Sequence, residues 1–330
     1  LESHKMGEIC RNKYIIHIIK MNEIVDYGIN FGFDNNKFFV DYISCGSDIG
    51  NYREEFKKRA VELSKASKKI LLGLSSGLDS QAVLHSFFEQ GIKIECAFLY
   101  QPKFNEIEYN QLKIVAKKYN INPIIIELDP NNIKEEILDH YNQTGIPPNQ
   151  LIHKKFLQQL PEDYDFVQGV HGPDIFYRNN TWYSLDCADS MEISRLRGFG
   201  MLERKGKIIC WERTGSILLS ILTDHITTSF MYSYNYIASN HLKTTGKEIN
   251  FMKDHWDIYI KPFLYGKYWK NELEYFPKYQ GCEGIDYVID GPKHNYRKNR
   301  VVIKYDALIK HLKNPKGTIK RIYEFEENKK

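Results

Sequence analysis

The side chains whose types and spacing suit chemistry stand together in residues 68–80, KKILLGLSSGLDS. An apolar run from Ile70 to Leu74 ends in Ser75, Ser76 and Gly77. The chain then enters residues 81–90, QAVLHSFFEQ, where Ala82, Val83, Leu84, Phe87 and Phe88 recur at helical spacing. A short buried strand, a turn of small residues and a helix start make a phosphate-binding geometry. The first N–H groups of a helix lack an intrahelical acceptor, and the macrodipole favours an anion beside them. Ser75, Ser76 and Ser80 add hydroxyls, and Gly77 lets the backbone approach a ligand closely or take a positive φ. The same residues also suit an ordinary strand-to-helix turn in which Asp79 or Ser80 caps the helix. The G-K-[ST] ending of the kinase and GTPase P-loop does not follow Gly73, so that loop is excluded.

The octapeptide GLSSGLDS resembles the S-G-G-x-D-S signature of the N-type ATP pyrophosphatases, the PP-loop group. Ser75, Gly77, Asp79 and Ser80 match; Ser76 replaces the first glycine of the pair, and Leu78 is the form typical of asparagine synthetase and its β-lactam-forming relatives. The resemblance implies ATP, cleaved between the α and β phosphates to AMP and pyrophosphate with the help of Mg2+. It assigns Leu74, Ser75, Ser76, Gly77, Leu78, Asp79 and Ser80 to nucleotide binding, with the adenine against residues 72–74 and 97–99 and so against Leu99.

Residues 170–176, VHGPDIF, are similar to the G-E-G-S-D-E motif of asparagine synthetases. Gly172 and Asp174 match, so Gly172 joins the nucleotide site, while His171 holds the glutamate position and Ile175 the last acid. A carboxylate beside a phosphate-binding turn is costly unless a hard divalent cation lies between them. Asp79 and Asp174 are therefore expected to hold magnesium; the alternative for Asp174 is a helix cap. Losing the glutamate implies a different nucleophile, or a different way of positioning it. Pro262-Phe263-Leu264 resembles the synthetase run R-V-P-F-L-D, with Ile260 and Tyr265 replacing its arginine and aspartate. Lys316, in NPKGTIK, lies at the distance of the family's active-site lysine and is expected to be catalytic; a solvated surface lysine is the alternative. The resemblance spans residues 68–317 and rests most heavily on the PP-loop.

At 330 residues, 42% hydrophobic and 27% charged, the chain is long enough for one large or two medium globular domains. A net charge of +4 carries no whole-chain argument for nucleic acid. Cys10, Cys45, Cys96, Cys187, Cys210 and Cys282 are dispersed with no CxxC, which excludes a zinc ribbon or redox pair and leaves Cys96, in an apolar run, as a core residue. No signal peptide and no apolar span of about 20 residues is present, so a cytoplasmic protein without a membrane partner is expected.

Residues 14–19 and 37–43 have strand character, separated by a turn at 28–36, and make residues 1–50 a small β-rich lead-in. A charged amphipathic helix follows over 52–67. Strands at 70–74, 93–100, 123–128 and 165–170 then alternate with helices at 106–119, 133–141 and 149–160. That alternation predicts an α/β core over 51–185, a parallel doubly wound sheet that binds ligands at the carboxyl ends of its strands. The resemblance makes it adenine nucleotide alpha hydrolase-like. Residues 186–330 are expected to be mostly helical, with one buried helix over 216–237, and to complete the substrate side.

The expected activity is an AMP-forming ligase that adenylates a small-molecule carboxylate for attack by an amine or ammonia. Glutamine-using synthetases begin Met-Cys with a long glutaminase; neither precedes residue 68, so ammonia is expected free or from a separate subunit. Two alternatives stand beside it. A PP-loop tRNA-modifying enzyme is favoured by the basic, aromatic-interleaved residues 293–305, KHNYRKNRVVIKY, although such stretches are more often solvated faces. A degenerate nucleotide-binding module is favoured by Ser76 and His171.

Overall fold

A computed structural model describes residues 29–34, 37–144, 148–169, 174–178, 180–187, 205–211, 214–247, 259–276 and 300–323. Five short strands make a parallel sheet: β3 (Ile70–Gly73), β4 (Glu95–Tyr100), β5 (Ile124–Glu127), β6 (Asp165–Gln168) and β9 (Ile208–Cys210), in the order β5-β4-β3-β6-β9. β3 is central, hydrogen-bonded to β4 on one side and β6 on the other. Leu71 and Leu72 are fully buried, as a strand covered on both faces requires, and this accounts for the unbroken apolar run. The chain leaves β3 through α2 (Leu78–Glu89) to β4, and through α3 (Glu106–Tyr119) to β5. It then returns by α4 (Pro130–Thr144) and α5 (Pro148–Gln158) to β6, on the other side of β3. The order reverses between β3 and β6, and the carboxyl ends of such a pair frame the crevice where α/β sheets bind ligands.

Two antiparallel sheets flank this core. One joins β1 (Ile29–Asp34), β2 (Lys37–Ile43) and β11 (Ile319–Tyr323); the other joins β7 (Asp174–Arg178), β8 (Thr181–Cys187) and β10 (Arg300–Lys304). The expected turn at 28–36 is thus largely strand: Ile29, Phe31 and Phe33 alternate in sequence, and β1 pairs with β2 from Ile29–Tyr42 to Asp34–Lys37. The expected strand at 14–19 lies outside the described residues. Strand β9 lies beyond the expected core boundary at 185, and β10 and β11 add further strands to a part expected to be mostly helical. Three-residue and hairpin strands carry too little periodicity to be separated from loops by sequence. The helices of this part are α6 (Gly215–Thr223), α7 (His225–Thr245), α8 (Lys261–Trp269) and α9 (Tyr305–Leu312).

Helix α1 (Tyr52–Ala66) begins with a capping box, in which the Asn51 side chain accepts from the Glu54 N–H and Glu54 returns the bond. Tyr52 and Phe56 of α1, Phe87 of α2, Trp211 after β9, and Tyr265 and Trp269 of α8 form one buried aromatic cluster. Their ring centroids are 4.7 Å apart for Tyr52–Phe56, 5.3 Å for Phe56–Trp269 and Phe87–Trp211, and 5.2 Å for Tyr265–Trp269. The cluster fixes α8 against the helices beside the sheet. Cys96 is buried in β4 as expected, and burial pushes its thiol up to about 12.

The single helix expected over 216–237 is two. Asp224 ends α6 and caps α7, its carboxylate accepting from the Ile226 N–H at 2.8 Å. The same carboxylate accepts from Lys267 Nζ at 3.0 Å and from the Tyr268 hydroxyl at 2.5 Å, tying α7 to α8. α6 is buried from Ile217 to Leu222, whereas α7 exposes Tyr232, Tyr236 and Ile237. Burial pushes the pKa of Asp224 up, but hydrogen bonds from Tyr268, Ile226 and Lys267 outweigh it and hold the group below the usual value of 3.8. Asp224→Ala should therefore lower unfolding free energy by about 1–2 kcal/mol at neutral pH. A depressed folded-state value gives stability that is present above the unfolded value and lost as pH falls through the folded one. Urea titrations of wild type and variant should diverge at pH 7 and converge below pH 3.8.

Candidate functional site

The turn after β3 is built from its own hydroxyls. Ser80 Oγ accepts from the Ser75 N–H at 3.1 Å and bonds the Ser75 carbonyl at 2.8 Å, while Ser75 Oγ accepts from the Gly77 N–H at 3.1 Å. Ser75 and Ser80 Oγ also lie 3.0 Å apart. Ser76 Oγ donates to Gln111 Oε1 of α3 at 2.8 Å. The three hydroxyls thus shape the loop. Gly77 has φ −69°, so of the two roles open to it the positive φ is not used. Gly77 is the N-cap residue of α2 and supplies no side-chain cap, and neither Asp79 nor Ser80 serves as one. Among the described residues nothing accepts from the N–H groups of Leu78, Asp79 and Ser80, which leaves an open, electropositive helix start.

Gln81, fully buried, holds this turn in place. Its Nε2 donates to the Ser76 carbonyl at 2.7 Å and the Glu274 carbonyl at 2.9 Å, and its Oε1 accepts from the Glu274 N–H at 2.8 Å. The segment beyond α8 is tied down a second time by Arg53, which donates to the Tyr268 carbonyl at 2.7 Å, to Glu272 at 3.1 Å and to Glu89 at 2.7 Å. Tyr119 donates to the Glu272 carbonyl at 3.0 Å and so accepts from His85 Nδ1 at 3.1 Å, leaving Nε2 to accept from Arg53. Burial, ahead of the Arg53 charge, lowers the pKa of His85 and keeps the ring neutral.

Helix α8 brings two donors to Asp79. Lys261 Nζ lies 2.5 Å from Oδ2, and the Tyr265 hydroxyl donates to Oδ1 at 2.7 Å. Side chains of the pair are 15% and 19% exposed, so water screens it only in part. Lys261 opens the first turn of α8, where a cation opposes the macrodipole at a cost of about 0.3–1 kcal/mol. Two helix starts and an ammonium therefore converge around the Asp79 carboxylate. Asp79 has the chemistry of a hard-cation ligand, and each of its oxygens accepts one hydrogen bond from α8.

Sequence carries little sign of Lys261, which precedes Pro262 at a position where the synthetase motif has no charge. Gly169 is a second unanticipated residue. It follows β6, and a Cβ there would lie 2.9 Å from the backbone of Asp79 and Ser80, so only glycine lets the β6 end close on the start of α2. A third is Gln101, at the end of β4, whose buried Oε1 has no partner among the described residues.

The other expected site residues fall as follows. Leu74 is 1% and Leu99 9% exposed, closed into the core, which leaves their backbone rather than their side chains at the strand ends. His171 and Gly172 lie outside the described residues. Asp174 opens β7, opposite Leu185 of β8, and no helix follows for it to cap. Lys316 is exposed on the turn between α9 and β11, whose backbone bonds run to Ser44. Gly317 beside it takes φ 94°, so a turn requirement explains that glycine. The cation the structure sets on Asp79 is Lys261. Among the described residues no cluster of three His, Cys, Asp or Glu side chains forms a metal site, and no helix is long and apolar enough to cross a membrane. No protein-family model matches the chain, and a search of curated proteins returns no match.

Gly169→Ala should force the end of β6 and the start of α2 apart. Overpacking of this kind costs about 1–3 kcal/mol. Chemical denaturation measures that loss.

Proposed function

We propose that the chain is an ATP-dependent ligase that forms AMP and pyrophosphate, activating a small carboxylate for attack by ammonia or an amine, in the manner of asparagine synthetase. The observation carrying this reading is the open start of α2 at the sheet's reversal point, bearing S-S-G-L-D-S with Lys261 beside it. The N–H groups of Leu78, Asp79 and Ser80 hold the pyrophosphate oxygens, and Lys261 offsets their charge. The adenine lies along the backbone at the ends of β3 and β4, where Gln101 Oε1 can accept from its amino group; a buried acceptor otherwise costs about 1–3 kcal/mol. Asp79, with Asp174, would hold magnesium, which would supply positive charge against the phosphates and the departing pyrophosphate.

An acceptor carboxylate oxygen bonds to the α-phosphorus as the bond to the bridging oxygen breaks and pyrophosphate leaves. The amine nitrogen then bonds to the activated carbonyl carbon, loses a proton, and AMP departs. Ammonia reaches the site free or from a partner subunit. A nucleotide-binding module without turnover is the second reading, favoured by the hold of Lys261 and Tyr265 on both Asp79 oxygens. The tRNA reading rests on residues 293–305, of which 300–304 pair in a sheet as β10 and 293–299 lie outside the described residues.

With ATP, magnesium, ammonia and a panel of small carboxylates, chromatography should resolve AMP and pyrophosphate as products. ADP and phosphate as the main products would overturn the reading, and tight ATP binding with no turnover would move it to the binding module. Asp79→Asn should cut turnover by roughly a hundredfold or more. Its thermal midpoint should change little, since a partly exposed pair contributes about 1 kcal/mol or less.

A further inference from the structure

We propose that the cleft between the β7–β8 turn, helix α7 and the start of α9 binds an α-amino acid with an aromatic side chain. The cleft lies apart from the turn after β3, and its ligand does not depend on the nucleotide reading of that turn.

Three elements build the cleft, whose volume of about 620 Å3 suits a small molecule. Thr228, Met231, Tyr232 and Asn235 recur at helical spacing and so share one face of α7. Residues 180–182 come from the hairpin and 304–307 from the β10–α9 junction. Asp174 is at the far end of that hairpin. It pairs with Leu185, whereas Arg178 pairs with Thr181 beside the cleft, about 13 Å further along the strand.

One wall is aromatic and fixed. Trp182 packs against Tyr177 and Tyr234, with ring centroids 5.1 Å and 5.3 Å away, and its indole N–H donates to Asn235 Oδ1 at 2.8 Å. An indole nitrogen can only donate, so the orientation of the Asn235 amide is decided, and Nδ2 remains as a donor at the cleft. Tyr232, 78% exposed, adds a second ring that can cover an aromatic guest.

The rim carries both charges. Lys304 and Asp306 flank the first residue of α9 and line the cleft, and neither forms an ion pair among the described residues. Helix α9 starts with no side-chain cap, so its first N–H groups are open donors beside Lys304. A carboxylate suits Lys304 and these N–H groups, and an ammonium suits Asp306. An anion alone would meet the Asp306 carboxylate, and a cation alone the Lys304 ammonium. An α-amino acid carries its two charged groups on one carbon, which matches opposite charges set side by side. Its ring then lies toward Trp182 and Tyr232.

Calorimetry on the full chain tests this with three probes: L-phenylalanine, L-phenylalaninamide, which lacks the carboxylate, and 3-phenylpropanoate, which lacks the ammonium. L-Phenylalanine should bind saturably and each analogue at least about tenfold more weakly, the effect of losing a hydrogen bond to a charged group. Lys304→Met should weaken L-phenylalanine and 3-phenylpropanoate by about tenfold and leave L-phenylalaninamide as in wild type. Asp306→Asn should weaken L-phenylalanine and L-phenylalaninamide and leave 3-phenylpropanoate as in wild type. No saturable binding of L-phenylalanine up to roughly 10 mM would overturn the proposal, as would analogues that bind as well as the amino acid. Equal losses for all three probes in both variants would overturn it too, since they would mark a distorted cleft rather than two charge contacts. Both side chains are exposed, and thermal unfolding checks that each variant is folded. Should one fail to fold, the wild-type comparison of the three probes decides the matter.

Discussion

The buried aromatic cluster of Tyr52, Phe56, Phe87, Trp211, Tyr265 and Trp269 is the constraint on which the site depends. Side chains of this size each remove about 150–250 Å2 from water, a gross gain of roughly 4–6 kcal/mol per ring. Their contribution here is also positional. The rings come from α1, α2, the end of β9 and α8, which are far apart in the chain, and their edge-to-face contacts leave few ways to assemble them. Once Trp269 and Tyr265 are seated, the first turn of α8 has nowhere to go except over the start of α2, and Lys261 meets Asp79.

The polar network completes what the cluster begins. Gln81 bonds the turn after β3 and residue 274 with one amide, while Arg53, His85 and Tyr119 fasten the same segment from the other side. Buried amides and a neutral imidazole are costly unless satisfied, and here each has its partners. The result is a rigid frame around three unbonded backbone N–H groups. Serine hydroxyls that could have faced a ligand are spent on the shape of the loop instead.

Much of the core was legible because its signals are local. The apolar run 70–74 and its small-residue turn place β3 and α2 within three residues, and the alternation of strand and helix gives the parallel sheet with β3, β4, β5 and β6. β9 escaped because three residues carry no period, and β1 because an Asn- and Gly-rich stretch hid an alternation that only pairing with β2 makes worthwhile. The Asp224 break escaped because apolar residues continue through it; a buried carboxylate serving as cap, ion-pair partner and phenol acceptor is a tertiary arrangement.

The sequence by itself determined the strand–turn–helix unit at 70–89 and the carboxylate at its start, since turn chemistry and helical periodicity act over a few residues. Tertiary structure alone decided what faces that carboxylate. Lys261 and Asp79 are 182 positions apart, and the sequence pointed to Lys316 instead. Choice between two lysines depends on which one the packing of Trp269 and Tyr265 carries to the turn. Gly169 is the same case: its need to lack a side chain exists only because the backbone of α2 lies 2.9 Å from where a Cβ would stand.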